Sequence, residues 1–195
     1  MNKEPIKIFE ALVTSGMIKS QTVFSLCRAL NKFPHEYTVS IKEGGAIHTD
    51  REQAVANAKL LNCTHLMFID YDMSFERDAI LRLLERDKDI IGVHYNQRKE
   101  PPTTTVLMDN EKKLNLKTLA PDGLTTCDGV ATGFTMIKMS VFDKLKHPYF
   151  FFETNDKGEL TVSEDYWFCR LAKQAGFEIW VDLSIPIKHV GDKLY

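Results

Sequence analysis

Two aspartates, Asp70 and Asp72, follow directly on the run His65–Ile69 and are the clearest candidates for chemistry in the sequence. The run predicts a strand covered on both faces, and ligands of open α/β sheets bind outside the carboxyl ends of strands. Two neighbouring carboxylates repel each other unless a cation or a proton offsets their charge. Carboxylate oxygens suit Mg²⁺ and Mn²⁺, which also bind phosphate oxygens. The pair therefore predicts a phosphate-binding metal site, although such a triplet alone is also typical of solvated loop acids.

The elements that must position this pair alternate along the chain. Apolar runs and helical periodicities predict strand–helix repeats, which favour a mostly parallel sheet with helices on both faces. The segment 96–126 breaks the pattern and predicts a lobe or small antiparallel element. The predicted strands are 6–13, 37–41, 65–69, 89–93, 129–139, 179–181 and 185–189. The predicted helices with both bounds are 20–30, 76–86 and 164–175, and Ser163 caps the last of them. Two further helices are predicted, one capped by Thr49 or Asp50 that runs through Leu61, and one capped by Ser140 that runs to Leu145.

Length and composition indicate one domain over residues 1–195, because 195 residues with 44% hydrophobic content can bury a single sizeable core. A formal net charge of −2 with dispersed charges gives no electrostatic footprint for nucleic acid. The four cysteines form no CxxC pair, which argues against a zinc finger or a disulfide framework. No long apolar stretch indicates a signal peptide or a membrane span, so we expect a cytoplasmic protein without a membrane span.

Several motifs, taken in order, resemble those of the GT-A fold glycosyltransferases, in particular the large inverting nucleotide-sugar family. The segment through Asp70-Tyr71-Asp72 resembles the DxD motif, and Gly129–Phe134 resembles the glycine-bearing strand on the acceptor side. Ser163–Ala172 with Ala175-Gly176-Phe177 is similar to the "ED" helix and its closing turn. Val181–Ser184 and His189-Val190-Gly191 are similar to the closing strands. The resemblance covers nearly the whole chain and implies a GT-A, Rossmann-like fold with a nucleotide-sugar-binding half at 1–95 and an acceptor and catalytic half at 96–195.

The resemblance implies a role for each acidic residue of the site. Asp72 and Asp70 would hold Mn²⁺ or Mg²⁺ against the donor diphosphate, with His189 as a further metal ligand, although Asp70 could instead hold the ribose. Asp165 would be the general base that takes the acceptor proton, and Glu164 would orient the acceptor or the loop. Glu164 and Asp165 could instead be first-turn acids that only complement the helix dipole. His189 could instead be a histidine near the surface with no metal to bind.

Donor contacts are expected around the first and third strands. By the resemblance, Thr14 and Ser15 occupy the loop that contacts the nucleotide base, and Tyr71 lies beside the metal pair. Arg51 would hold the donor phosphates, or would be a solvated helix residue. A UDP-sugar is favoured over a GDP-sugar, although the loop lacks the acidic residue that often marks uracil recognition. The acceptor would be a glycan or another hydroxyl compound. A homo-oligomer, or a fused or partner domain, would complete the acceptor surface.

Three alternatives remain open at this level. A haloacid-dehalogenase-type phosphatase also has Asp-x-Asp after an apolar strand, but that pair follows the first strand, whereas two strand–helix units precede Asp70 here. A nucleotidyltransferase would need a glycine-rich basic loop near the start of the chain, which this sequence lacks. A catalytically silent sugar-binding module would keep the fold without needing the acids.

Overall fold

A computed structural model describes residues 5–14, 16–98, 100–101, 103–108 and 122–191. These residues form five helices and thirteen strands. In chain order they are β1 Lys7–Thr14, α1 Ser20–Leu30, β2 Glu36–Glu43, α2 Ile47–Leu60, β3 His65–Asp70, β4 Met73–Phe75, α3 Ala79–Glu85, β5 Ile90–Val93, β6 Val106–Leu107, β7 Leu124–Cys127, β8 Gly129–Val130, β9 Phe134–Lys138, α4 Met139–Phe142, β10 Glu153–Thr154, β11 Leu160–Val162, α5 Glu164–Gln174, β12 Ile179–Asp182 and β13 Ile187–His189.

Seven strands form one central sheet in the order β2-β1-β3-β9-β5-β12-β7. Three neighbouring pairs are parallel, namely β2–β1, β1–β3 and β5–β12, and the other three are antiparallel. The α/β class is therefore confirmed, but the sheet is mixed and the predicted mostly parallel sheet is not confirmed. The reason is that β9 inserts between β3 and β5 in the opposite direction, and β7 pairs antiparallel with β12.

Two hydrophobic cores cover the two faces of this sheet. Side chains of α1 and α3 pack on one face with Ile8, Leu12 and Met67. Side chains of α2, α4 and α5 pack on the other face with Phe9 and Phe68. Since successive side chains of a strand point to opposite faces, residues 8 and 9 of β1 serve different cores. Helices on both faces are thus confirmed.

Three short antiparallel pairs lie beside the main sheet: β4 with β13, β6 with β8, and β10 with β11. The predicted small antiparallel element within 96–126 corresponds in part to β6 and to the bridge between Asn96 and Thr104. Residues 109–121 of that segment lie outside the described residues, and β7 belongs to the main sheet.

Helix starts and one strand differ from the sequence-based expectation. Thr49, Asp50 and Ser140 lie inside α2 and α4, because those helices start earlier, after Ala46 and Lys138. The predicted strand over 129–139 is two strands, β8 and β9, and the second ends at Lys138. Ser163 is the N-cap residue of α5 as predicted, and Gly176 follows that helix with a φ of +91°. In the part of the chain that the structure describes, no helix is long and apolar enough to cross a membrane.

Candidate functional site

Asp72 and His189 meet through a short strand pair. In the pairing of β4 with β13, Met73 lies opposite His189, and the backbone N–H of Val190 donates to the carbonyl of Asp72 at 2.7 Å. His189 Nε2 consequently lies 3.2 Å from Asp72 Oδ1. The Asp72 side chain is almost fully buried, and His189 is mostly buried. Two residues that the sequence offered as metal ligands are therefore adjacent.

The His189 ring is oriented by a second contact. Its Nδ1 lies 3.1 Å from the carbonyl oxygen of Asn96, so Nδ1–H donates there and Nε2 faces Asp72. Burial alone would lower the pKa of His189, but the hydrogen bond and charge of Asp72, with the Asn96 carbonyl, raise it above 6.5. Asn96 thus acts as a support that turns Nε2 toward the acidic pair.

Asp70 lies at the end of β3, packed against the glycine that precedes β9. Its backbone N–H donates to the carbonyl of Gly133 at 2.8 Å. A Cβ on Gly133 would lie 2.6 Å from Asp70 Oδ2 and 2.2 Å from the Tyr95 hydroxyl, so no side chain fits there. The Gly133 N–H also donates to that hydroxyl at 3.1 Å. Burial raises the pKa of Asp70, Arg51 opposes this rise, and the charge of Asp72 adds to it.

Arg51 and Glu164 form a buried pair. The Arg51 side chain is 3% exposed, and its Nη1 donates to Glu164 Oε1 in a close contact. Its Nη2 lies 3.6 Å from Asp70 Oδ1. The resemblance implied that Arg51 holds the donor phosphates or is a solvated helix residue, and that Glu164 orients the acceptor or the loop. In the structure the two side chains are buried and face each other, because each buried charge has its nearest opposite charge there.

Asp165 follows Glu164 in the first turn of α5 and is only partly buried. Its Oδ1 accepts from the Ser163 hydroxyl and, at 2.9 Å, from the backbone N–H of Tyr166. These two donors belong to the same helical turn as Asp165 and fix the orientation of its carboxylate. The negative charge of Asp165 is close enough to raise the pKa values of Asp70 and Tyr95. Asp165 therefore belongs to the same electrostatic cluster as the acids of the β3 end.

A cavity of about 140 Å³ opens at the carboxyl ends of β1 and β3. Its lining residues are Val13, Thr14, Gly45, Ile47, Asp70 and Tyr71. Thr14 Oγ1 bonds the backbone of Gly16, which shapes the loop after β1, while Ser15 lies outside the described residues. Thr14 and Tyr71 thus line one cavity with Asp70.

A buried acid, Asp50, lies next to Gly45, one of the residues that line this cavity. Asp50 is 3% exposed, and its Oδ2 has no hydrogen-bond partner. A Cβ on Gly45 would lie 2.1 Å from Asp50 Oδ1, so only glycine lets the backbone pass this close to the carboxylate. Sequence reasoning offered Asp50 only as a helix cap. The Gly44-Gly45 turn before it is the signal that could have suggested a close approach.

Asp72 and His189 supply a carboxylate and an imidazole, which are ligand types that divalent metals accept. Asp72 Oδ2 lies 2.9 Å from Arg98 Nη2 but receives no well-aligned hydrogen bond. Within the described ranges, no three His, Cys, Asp or Glu side chains are grouped closely enough to hold a metal, so Asp70 does not complete a preformed cage. Mg²⁺ is commonly bound by one or two carboxylates plus substrate phosphates, which requires no such cage.

Arg98 also contacts the Asp70–Asp72 segment. It contacts two residues of this segment, because its Nη2 lies near Asp72 Oδ2 and donates to the Tyr71 hydroxyl at 3.3 Å. Its side chain is 38% exposed and borders the site from the loop after β5. The only sequence signal that Arg98 lies near the site was its position shortly after the end of a predicted strand.

Comparisons with known proteins show a shared fold but no function. No protein-family model matches the chain, and no curated protein matches it. The crystal structure of A197 from STIV is similar to this chain, with a TM-score of 0.66 over 96% of this chain and 87% of that one. The two sequences are 16% identical, so the likeness shows a shared fold alone.

Proposed function

We propose that this chain is a metal-dependent GT-A glycosyltransferase, which moves a sugar from a nucleotide-diphosphate sugar to an acceptor hydroxyl. The observation that carries the proposal is the contact between Asp72 and His189, two residues along the chain from Asp70, which lines the β1–β3 cavity. An acidic pair, an imidazole and a cavity at the carboxyl edge of a sheet suit a metal–diphosphate ligand.

Asp72 and His189 would hold Mn²⁺ or Mg²⁺, with oxygens of the diphosphate as further ligands. When bound, the metal would offset the negative charge of the leaving nucleoside diphosphate, a contribution of several kcal/mol. Asp70, closer to the cavity and to Arg51, would contact the metal or a ribose hydroxyl. Arg98, which now offsets the charge of Asp72, would be free to turn to a phosphate oxygen.

The cavity lined by Thr14 and Tyr71, with a volume of about 140 Å³, would take the base of the donor nucleoside. The resemblance of the sequence favours a UDP-sugar over a GDP-sugar as that donor.

Asp165 would act as the general base of an inverting transfer. Its carboxylate takes the proton of the acceptor hydroxyl while that oxygen bonds to the anomeric carbon, and the bond from that carbon to the diphosphate oxygen breaks. The fixed geometry that Ser163 and the Tyr166 N–H impose on Asp165 suits this role, because a base must be held within reach of the proton. The acceptor would be a glycan or another hydroxyl compound, and a second copy or a partner domain would extend its binding surface.

Turnover of nucleotide sugars tests this proposal. Purified protein is incubated with Mn²⁺ and UDP-glucose, UDP-galactose, UDP-N-acetylglucosamine or GDP-mannose, and nucleoside diphosphate release is measured. Metal-dependent release that Asp165→Asn lowers supports the transferase. Phosphate release from p-nitrophenyl phosphate would instead assign a phosphatase, and metal-independent glycan binding without turnover would assign a silent binding module.

A further inference from the structure

Arg51 joins two elements that carry different parts of the candidate site. It belongs to α2, and its guanidinium reaches Glu164 at the start of α5 and Asp70 at the end of β3. Its carbon Cζ also lies 5.8 Å from the centre of the Phe68 ring, within the range of a cation–π contact. Arg51 and Glu164 are nearly inaccessible to solvent, with side chains 3% and 8% exposed.

This burial makes Arg51 a poor ligand for a donor diphosphate. Both Nη atoms already face carboxylates, and the buried Nε has no hydrogen-bond partner. A phosphate could reach the guanidinium only by displacing Glu164 or Asp70. Breaking such a buried pair leaves an uncompensated charge, which is costly.

Glu164 lies directly before the candidate general base, so the Arg51–Glu164 pair can affect where that base lies. Asp165 is the next residue in the same helical turn, so the Arg51–Glu164 contact fixes where that turn begins. The other end of Arg51 faces Asp70, two residues before Asp72. One guanidinium therefore spans the distance between the candidate base and the candidate metal ligands, and the pair is neutral as a unit.

We infer that Arg51 and Glu164 are positioning residues, which hold the Asp165 turn of α5 in register with the Asp70–Asp72 end of β3. This inference rests on the proposed transferase function and assigns both residues a role other than donor or acceptor contact. Misplacement of a reacting group by about 1 Å can lower a rate on the order of 100-fold. Loss of the link should therefore lower kcat and leave donor binding largely intact.

The test compares Arg51→Lys and Glu164→Gln with the double variant. Lysine keeps the charge but lacks the planar fork with which Arg51 contacts two carboxylates. Gln keeps the shape of Glu164, and Asp70 still faces the Arg51 charge in that variant, so at least the second variant should fold. Steady-state release of UDP from the best UDP-sugar with Mn²⁺ is measured at varied donor concentration. We expect kcat to fall about 10- to 100-fold in each variant, as for other supporting residues, with donor KM changed less than about twofold. The double variant should be no worse than the poorer single variant, because both remove one link.

A matched control is available on the same helix. Arg170 of α5 pairs with Glu153, and both side chains are more than 40% exposed. Arg170→Lys and Glu153→Gln should leave both kcat and KM unchanged, since an exposed pair contributes little.

The outcomes separate this inference from the proposed function. If the wild-type protein releases no nucleoside diphosphate, the transferase proposal fails and the inference fails with it. If the wild-type protein is active and the variants raise donor KM with kcat retained, the transferase stands and Arg51 is a donor ligand instead. Unchanged kcat and KM in folded variants would also overturn the positioning role.

Discussion

His189 Nε2 lies 3.2 Å from Asp72 Oδ1, although the two residues are 117 positions apart in the sequence. The short β4–β13 pair produces this contact, and the carbonyl of Asn96 turns the imidazole toward it. Asp72 therefore lies between the His189 imidazole and the Arg98 guanidinium, in a buried setting. The account rests on this contact, because an acid so surrounded can exchange its protein partners for a metal and a diphosphate.

His189 should be required for the metal-dependent part of donor binding. With Mn²⁺ and a UDP-sugar at 100 times the dissociation constant, binding adds about 2.7 kcal/mol of stability. For a chain of this size that corresponds to a rise of roughly 5–10 °C in Tm. In thermal-shift experiments His189→Gln should lose most of the Mn²⁺-dependent rise. His147→Gln is the control, because His147 is 69% exposed; an equal loss in both variants would contradict a ligand role.

Gly133→Ala should lower both the stability of the protein and its turnover, because Gly133 is in close contact with residues of the site. The new methyl group would lie 2.2 Å from the Tyr95 hydroxyl and 2.6 Å from Asp70 Oδ2, so one of these groups must move. Overpacking of this kind costs about 1–3 kcal/mol of unfolding free energy, and UDP release should fall with it. Chemical unfolding and the turnover assay measure the two effects. Gly16→Ala, which has no heavy atom within 4 Å of the added Cβ, should leave the stability unchanged.

Glu10 should make the protein less stable as pH rises. The residue lies in the middle of β1, fully buried, and neither carboxylate oxygen has a hydrogen-bond partner. Burial raises its pKa from 4.5 to about 8, so the folded state keeps a proton that the unfolded state releases. Stability is therefore lost as pH rises from 4.5 toward 8, by about 3–5 kcal/mol in total.

Urea unfolding at pH 5 and pH 8 tests this expectation with Glu10→Gln, which cannot ionise. The comparison must be between the two proteins, because other groups titrate in this range. Burial lowers the pKa of His65 to about 4, which makes stability rise between pH 4 and 6.5. Relative to wild type, Glu10→Gln should gain stability between pH 5 and 8. An equal pH dependence in both proteins would refute the prediction, and Glu43→Gln on the exposed end of β2 is the control.

Arg86→Ala should affect stability and not donor binding. Arg86 Nε donates to Asp182 Oδ2 at 2.7 Å, and the Asp182 side chain is fully buried. Removing the partner of a buried carboxylate costs about 3 kcal/mol or more, whereas Arg170→Ala should cost less than about 1 kcal/mol. Urea unfolding measures both costs. A change in the donor Kd of Arg86→Ala would show that this pair contributes to the site.

The sequence predicted the elements best where local signals were strong. The bounds of α1 are those predicted from its apolar spacing, and β3 follows from the continuous run before Asp70. The direction and neighbours of β9 were not predictable, because strand pairing depends on contacts distant in sequence. The starts of α2 and α4 were misplaced because Thr49, Asp50 and Ser140 resemble cap residues although each helix begins before them.

For the site, single residues were predictable and their partners were not. Asp70, Asp72, Asp165 and His189 were each recognisable by residue type and motif. The Arg51–Glu164 pair has no local signature, since its members are 113 positions apart and meet only because α2 and α5 pack on one face of the sheet. The support of His189 by the Asn96 carbonyl is likewise a backbone contact that no side-chain pattern encodes.

The most direct test of the account is Mn²⁺-dependent release of nucleoside diphosphate from a nucleotide sugar by wild type and Asp72→Asn. Asparagine keeps the shape of the side chain but removes the charge that would hold the metal. The account predicts release by wild type that chelation with EDTA abolishes and Mn²⁺ restores, and a loss on the order of 100-fold or more in Asp72→Asn, equal to about 3 kcal/mol of transition-state stabilisation. Equal turnover by both proteins, or turnover that persists in EDTA, would contradict it.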